Sequence, residues 1–105
     1  MNQIYISGLV LEKPIFREDQ SHVTFAIAVH HRTKAGIMRS ESYPVSAWHN
    51  CAKWIADNLS EGYLVAIHGY LTQKKDHSIE ICAEEVIPSR VISRKAALSD
   101  MPKEN

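Results

Sequence analysis

Apolar and polar residues alternate along five stretches of the chain, a pattern typical of strands that bury one face. In the second stretch, Val23 and Phe25 alternate with small or polar residues. The predicted strands are residues 3–11, 23–31, 41–48, 63–75 and 79–87, the last ended by Pro88. Because proline cannot donate to a ladder, Pro14 interrupts the first strand, and Phe16 and Arg17 begin a short continuation.

A helix is predicted after the third strand, because the apolar residues that follow Trp48 recur at helical spacing. Its apolar stripe consists of Ala52, Ile55, Ala56 and Leu59. Asn50 is a suitable N-cap, and Gly62 stands where a glycine commonly ends a helix. Trp54 lies beside the stripe, so we expect it to pack in the core or in an interface.

The order strand, strand, strand, helix, strand, strand predicts an all-β protein with one short helix. Five strands with the helix between the third and fourth are the order of the OB-fold, a five-stranded Greek-key barrel. Such barrels bind oligonucleotides or oligosaccharides on one face. We expect residues 1–90 to form this domain and residues 91–105 to be a short C-terminal tail.

The composition is that of an ordinary globular domain. The 105 residues include 12 basic and 12 acidic side chains, with a formal net charge of zero. This balance argues against a nucleic-acid binder that relies on bulk charge, so such a function needs a local basic surface. Two cysteines without a secretion signal indicate reduced thiols in the cytoplasm, and no stretch approaches the ~20 apolar residues of a membrane span.

No pattern in the sequence predicts catalysis or a bound metal. The neighbouring His30 and His31 point to opposite faces of a strand, and His49 with Cys51 has no second ligand pair nearby. A glycine-rich phosphate loop and a catalytic carboxylate pair are both missing from the sequence, and Cys51 has no evident base. We therefore expect a non-enzymatic protein without a cofactor or metal ion.

Trp48 occupies a polar position of the third predicted strand. Tyr43, Val45 and Ala47 share the apolar face, so Trp48 points the other way, together with Ser46. A flat aromatic ring on an exposed sheet is typical of proteins that stack the bases of single-stranded nucleic acid. The alternative is that Trp48 packs under the helix or in a subunit interface.

The chain contains three segments, in order, that span about residues 2–88: IYISGLVLEKPIFR, VTFAIAVHH and VSAWHNCAKWIADNLSEGYLVAIHGYL. The first is an alternating strand with an internal glycine, followed by proline and arginine, and the second precedes a basic loop. The third joins a strand and an aromatic to a short helix, a turn and another glycine-containing strand. Together they resemble the bacterial single-stranded DNA-binding protein family. The resemblance implies DNA binding and self-association, commonly as a tetramer built from two dimers, each of which pairs through the first strand.

The family's binding residues carry over in part. Trp48 matches an aromatic on which a base stacks, and Lys74 matches a basic position on the fourth strand. Three other aromatic positions are not kept and correspond to Arg32 or Thr33, to Ser42 and to a residue near Asp76. The family's long tail with an acidic tip has no counterpart. We therefore expect an accessory or tail-less member, for example one that serves DNA uptake, a mobile element or a phage, without recruitment of repair partners through such a tip.

We expect the nucleic-acid face on the outer side of the third and fourth strands. Tyr70 shares the outer phase there, and either replaces a missing stacking residue or makes an oligomer contact. The basic side chains expected to follow the phosphates are Arg17, Arg32, Lys34, Arg39, Lys74 and Lys75. The basic loop has a second interpretation as a solvated hairpin tip. Acidic residues such as Glu80 are expected to lie elsewhere.

Three functions remain open from the sequence. The first is a sequence-nonspecific single-stranded DNA-binding protein of replication, recombination and repair, in the cytoplasm and associated with the nucleoid. The second is a module like a dimeric primosomal replication protein, which binds DNA weakly and contacts a helicase. The match of the helix and the following strand to the single-stranded DNA-binding family favours the first. Neutral charge and lost aromatics favour the second. A tetramer would support the first, and a dimer the second. The third is an OB-fold that binds a small ligand or an oligosaccharide.

Overall fold

The computed structural model describes the backbone of residues 1–91 and the side chains of residues 1–89. Its elements are β1 (Ile4–Val10), β2 (Ile15–Arg17), a 3-10 turn (Glu18–Gln20), β3 (His22–Arg32), β4 (Met38–Trp48), α1 (His49–Asn58), β5 (Tyr63–Gln73) and β6 (Ile79–Val91). The predicted tail, residues 91–105, lies outside the described residues apart from its first position.

Five long strands close a barrel in the order β1, β5, β6, β4 and β3, because β1 pairs with both β5 and β3. The short β2 pairs with β3 beyond the end of β1, as expected for a continuation of the first strand after Pro14. With β1 and β2 counted as one strand, α1 lies between the third and fourth strands. The predicted OB-fold is confirmed.

The apolar phase of each strand fills the barrel, as the alternation predicts. The largest fully buried side chains are Val10, Val23, Ile27, Val45, Ile55, Leu59, Val65, Ile67 and Ile81. Ile55 and Leu59 come from α1 and the residue after it, so the helix contributes to the same core. The opposite phase of the strands is left on the outer face of the sheet.

The helix begins two residues earlier than predicted. Trp48 rather than Asn50 is the N-cap, and it makes no side-chain capping hydrogen bond. β4 runs directly into α1 through His49, which has a φ of 58°. Gly62 does not cap the helix either, since Leu59 is the C-cap and Gly62 lies three residues further on in a turn, with a φ of 92°. Within the described chain, no helix combines the length and apolarity needed to cross a membrane.

Three strands are longer than predicted: β3 by a single residue at each end, and β4 and β6 by more. β4 starts at Met38 because the β3–β4 hairpin stays paired as far as Arg32 and Met38. β6 continues past Pro88, which was expected to end it. The pairing register with β5 shifts next to Pro88, and a strand tolerates proline at such an irregularity.

A second irregularity lies between β5 and β6 at Gly69. Gly69 pairs with Ala83 and His68 pairs with Glu85, so Glu84 is an extra residue in β6. A Cβ atom at Gly69 would lie 2.0 Å from the carbonyl oxygen of Cys82. Only glycine allows the two strands to approach this closely, and the bulge leaves both Glu84 and Glu85 exposed.

β1 has one free edge within the described chain. Residues 4–8 pair with β5 alone, and pairing with β3 begins at Leu9. Tyr5, in the middle of this segment, is 76% exposed. The backbone groups along the free edge therefore remain available to another strand.

Candidate nucleic-acid interface

Trp48 is held on the outer face at the end of β4. It remains 45% exposed, whereas Val45 and Ala47 in the opposite phase are fully buried. The indole stacks on the imidazole of His22, with ring centroids 3.9 Å apart and planes inclined by 20°. Because so much of Trp48 stays exposed, the ring does not pack under the helix.

Arg17, His22 and Trp48 form one row across three strands, here called the Trp48 row. Arg17 of β2 pairs with His22 of β3, and His22 pairs with Trp48 of β4. Side chains of directly paired residues point to the same face, with Cβ atoms about 4.5–5.5 Å apart. A permanent cation, an imidazole and an indole therefore lie side by side on the outer face.

The row is fixed by the turn that precedes β3. Ser21, with a φ of 47°, has its carbonyl oxygen 2.7 Å from the backbone N–H of His49, which donates to it. This bond joins the turn before His22 to the residue after Trp48. The Nε2 atom of His22 is buried and has no hydrogen-bond partner among the described residues. The contact that holds the imidazole against the indole is therefore the stack itself.

Tyr70 lies in a second row on the same face. It pairs with Cys82 of β6, and Cys82 pairs on its other side with Ser46 of β4. Tyr70 is partly buried, and the neighbouring Cys82 thiol raises the pKa of the phenol. The phenol therefore stays neutral at physiological pH. The structure brings Trp48 and Tyr70 to one face, with β6 between their strands.

Glu80 lies on this face and pairs with a predicted binding residue. Its Oε2 atom is 3.9 Å from Nζ of Lys74 and accepts a 2.5 Å hydrogen bond from the hydroxyl of Ser46. The Glu80 side chain is only 17% exposed, against 47% for Lys74. The expectation that the acids lie elsewhere is therefore wrong for Glu80. The regular alternation of β6 before its bulge places Glu80 and Cys82 in the same outward phase.

The remaining basic residues are divided between faces and turns. Arg32 is in the phase of Trp48, and its Nη1 atom donates to the carbonyl oxygen of Gly36 at 3.0 Å. Arg39 is in the opposite phase, paired with His31. Lys34 and Lys75 are exposed in the β3–β4 and β5–β6 turns. Of the predicted set, only Arg17 therefore lies in a row with Trp48.

Trp54 is not a core residue, in contrast to one of the two expectations. It is 39% exposed on α1 and lines a groove of about 310 Å³ together with Cys51, Glu84 and Glu85. Burial raises the pKa of the Cys51 thiol, and both cysteines of the chain are free. A thiol with a raised pKa is a poor nucleophile, so this groove has no activated cysteine.

A second stack of an aromatic ring on a histidine joins β1 and β5, and is here called the Tyr5 stack. Tyr5 pairs with His68, and their ring centroids are 4.5 Å apart with planes inclined by 9°. The Glu85 carboxylate lies 3.9 Å from Nδ1 of His68. The rings line a groove of about 210 Å³ that also contains Ile87. The Nε2 atom of His68 is buried without a partner among the described residues.

His22 was not among the predicted site residues, although a signal for it was present in the sequence. Arg32 lies opposite Met38, and the pairing continues without a shift back to His22 and forward to Trp48. A hairpin centred on the turn between β3 and β4 therefore predicts that His22 faces Trp48. The stacking of the two rings has no comparable signal, because it depends on side-chain rotamers.

Comparisons with known proteins agree with this architecture. A model of the single-strand binding protein family matches residues 1–87. None of the curated proteins matches the chain. The solved structure of the second single-stranded DNA-binding protein of Mycobacterium smegmatis has a TM-score of 0.71 at 24% identity, covering 84% of this chain and 88% of that one. The small single-stranded DNA-binding protein of Streptomyces coelicolor has a TM-score of 0.71 at 26% identity, covering 85% and 95%.

The family match extends from the first residue to most of β6, and so includes residues of every strand of the barrel. It includes the elements that carry Trp48 and Tyr70. This chain belongs to the single-strand binding protein family.

Proposed function

We propose that this chain is a non-enzymatic protein that binds single-stranded DNA without sequence preference. The observation that carries the proposal is the Trp48 row, in which an exposed indole on the outer sheet face lies beside the guanidinium of Arg17. Every base has a flat face that can stack on an indole, so the contact tolerates any sequence. Duplex DNA buries those faces, so the same surface favours single strands.

Local charge supplies the phosphate contacts. The side chains proposed for this role are Arg17, Arg32, Lys34, Arg39, Lys74 and Lys75. The chain as a whole is electrically neutral, so attraction to DNA comes from these positions and falls steeply with salt. Tyr70 is proposed as the second stacking ring, since it lies in the outer phase of β5 and its phenol is uncharged.

The cellular role proposed for this activity is protection of single strands in replication, recombination and repair, in the cytoplasm at the nucleoid. We expect the protein to act as a homo-oligomer. The free edge of β1 at residues 4–8 supports this, because unpaired backbone groups there can add a strand from a second copy.

The experiment that tests DNA binding is a titration of tryptophan fluorescence with short oligo-dT at low and moderate salt. A Trp54→Phe protein leaves Trp48 as the single reporter, and Trp54 lies on α1 outside the proposed face. Stacking predicts quenching of the Trp48 emission. Affinity should fall with salt at a log–log slope of about −0.7 for each phosphate contacted.

The matched variant is Trp48→Ala in the otherwise natural chain, with binding followed by electrophoretic mobility. Loss of one stacked base is worth roughly 1–3 kcal/mol, which corresponds to about a 5- to 150-fold loss of affinity. Absence of both quenching and binding at low salt would contradict the proposal.

One observation favours the second candidate, an interaction module that binds DNA weakly and contacts a helicase. Glu80 places a carboxylate on the outer face and forms an ion pair with Lys74. The pair offsets the positive charge of Lys74 and so weakens the attraction of this face for phosphates. Sedimentation of the purified protein separates the two candidates. A tetramer supports the DNA-binding protein, and a dimer with weak DNA binding supports the interaction module.

A further inference from the structure

We propose that His22 is a positioning residue, which holds the indole of Trp48 so that its exposed face is presented to one base, while Arg17 receives the adjoining phosphate. The three residues of the Trp48 row would thus make a one-nucleotide subsite. The inference rests on the proposed function and goes further, because it assigns a role to a residue that does not itself touch the DNA.

The stack on His22 fixes the rotamer of Trp48 before DNA binds, which removes a cost of ordering that side chain. An exposed tryptophan at the end of a strand has several rotamers, and a base that stacks on it must select one of them. The stack on His22, at a centroid distance of 3.9 Å, already selects one in the free protein. Binding therefore does not have to order the ring, and affinity rises accordingly.

His22 is itself held in place. It pairs with strands on both sides, through Arg17 and Trp48. The hydrogen bond from the His49 N–H to the Ser21 carbonyl ties its turn to the start of α1. A residue whose backbone is paired on both sides is a firm support for the indole, whereas a residue in a loose turn would move with that turn.

Arg17 is placed to contact the phosphate of the nucleotide that stacks on Trp48. It stands two strands away from Trp48 in the same row, and neighbouring strands are about 4.8 Å apart. An extended arginine side chain covers much of this distance, and the phosphate of a nucleotide stacked on Trp48, which lies beyond the edge of the base, would cover the rest. The imidazole of His22 lies between Trp48, which would contact the base, and Arg17, which would contact the phosphate.

The test uses the Trp54→Phe protein with His22 kept, changed to Ala or changed to Phe. Phenylalanine keeps a flat ring against the indole, so His22→Phe should retain the affinity for short oligo-dT within about twofold. His22→Ala should lower affinity about 3- to 10-fold, because the indole must then be ordered on binding. Thermal melting of each protein checks that the barrel remains folded.

A second readout needs no DNA. Acrylamide should quench the Trp48 emission more efficiently in the His22→Ala protein than in the parent, and His22→Phe should restore the parent value. An unchanged quenching constant in His22→Ala would show that the stack does not restrain Trp48 and would overturn the proposal.

The DNA titration separates two kinds of failure. If the Trp54→Phe protein does not bind at low salt, the proposed function fails and the subsite fails with it. If that protein binds and His22→Ala binds equally well, the role of His22 alone is overturned. A folded His22→Phe protein as weak as His22→Ala would also overturn it, because a flat ring would then not be what matters.

Discussion

The two stacks of an aromatic ring on a histidine have the same local construction and different surroundings. In each, a histidine faces an aromatic residue across two paired strands, and its Nε2 atom is buried without a partner among the described residues. The stack of Trp48 on His22 has Arg17 beside it in the Trp48 row. The Tyr5 stack has the Glu85 carboxylate 3.9 Å from its imidazole.

The difference teaches that an exposed ring does not by itself define a DNA contact. A base stacked on Trp48 would bring its phosphate to a cation, whereas a base stacked on Tyr5 would bring its phosphate to an anion. The Tyr5 stack also adjoins the free edge of β1, where a second copy can pair. We expect DNA at the first stack and protein at the second.

The largest expected effect on DNA affinity is the difference between replacing Trp48 and replacing Tyr5. Trp48→Ala should lower affinity for short oligo-dT about 5- to 150-fold, because a stacking surface is removed. Tyr5→Ala should leave that affinity within about twofold and should instead weaken self-association in sedimentation. Equal loss of DNA binding in both variants would contradict the distinction between the stacks.

A smaller effect is expected from the cation that distinguishes the Trp48 row. Arg17→Gln should lower affinity a few-fold and make the salt dependence shallower by about 0.7, the contribution of one phosphate contact on a single strand. The control is Lys53→Gln, which removes one positive charge from exposed α1. Equal slopes for the two variants would mean that Arg17 acts through net charge alone.

Removing the charge of the carboxylate on the proposed DNA face should have the opposite effect. In Glu80→Gln the amide oxygen can still accept the Ser46 hydrogen bond, while Lys74 becomes free to meet a phosphate. Affinity should rise a few-fold and the salt dependence should steepen by up to about 0.7. Glu61→Gln, in the turn after α1, controls for the change in net charge. A fall in affinity would indicate that Glu80 orients Lys74 for binding.

The smallest effect is expected from giving the Tyr5 stack a neighbouring cation, as Trp48 has in Arg17. In a Trp48→Ala background, Glu85→Lys puts a cation beside the Tyr5 stack and should restore a small part of the low-salt binding, at most about twofold. Asp57→Lys on α1 makes the same charge change elsewhere. If both variants recover equally, the local environment of the Tyr5 stack is not what excludes DNA.

The alternation of apolar residues predicted the barrel because burial dictates the phase of each strand. Val23, Ile27 and Val45 could face only inward, and their outward neighbours followed. The phase also placed Trp48 and Tyr70 on one face. The alternation did not predict where elements end. β6 continues through Pro88 because the register shifts there, and β4 runs directly into α1.

The site was less predictable, because it depends on which strands lie side by side. Arg17 joins Trp48 through β3, and this row follows from pairing rather than from distance along the chain. Lys74 and Glu80 meet across the β5–β6 hairpin, so a basic position was predicted without its partner. Sequence alternation reports the face of a residue, and only the register reports its neighbours.

Arg17 is supplied by the shortest strand of the sheet, the three residues of β2 at its edge. Such segments open at lower free energy than the barrel they adjoin. On warming, β2 should therefore separate from β3 while the barrel is still folded. DNA affinity should then fall in two stages, because Arg17 leaves the phosphate before Trp48 leaves the base. Amide exchange at β2 should slow when DNA is bound, since the ligand holds that segment closed.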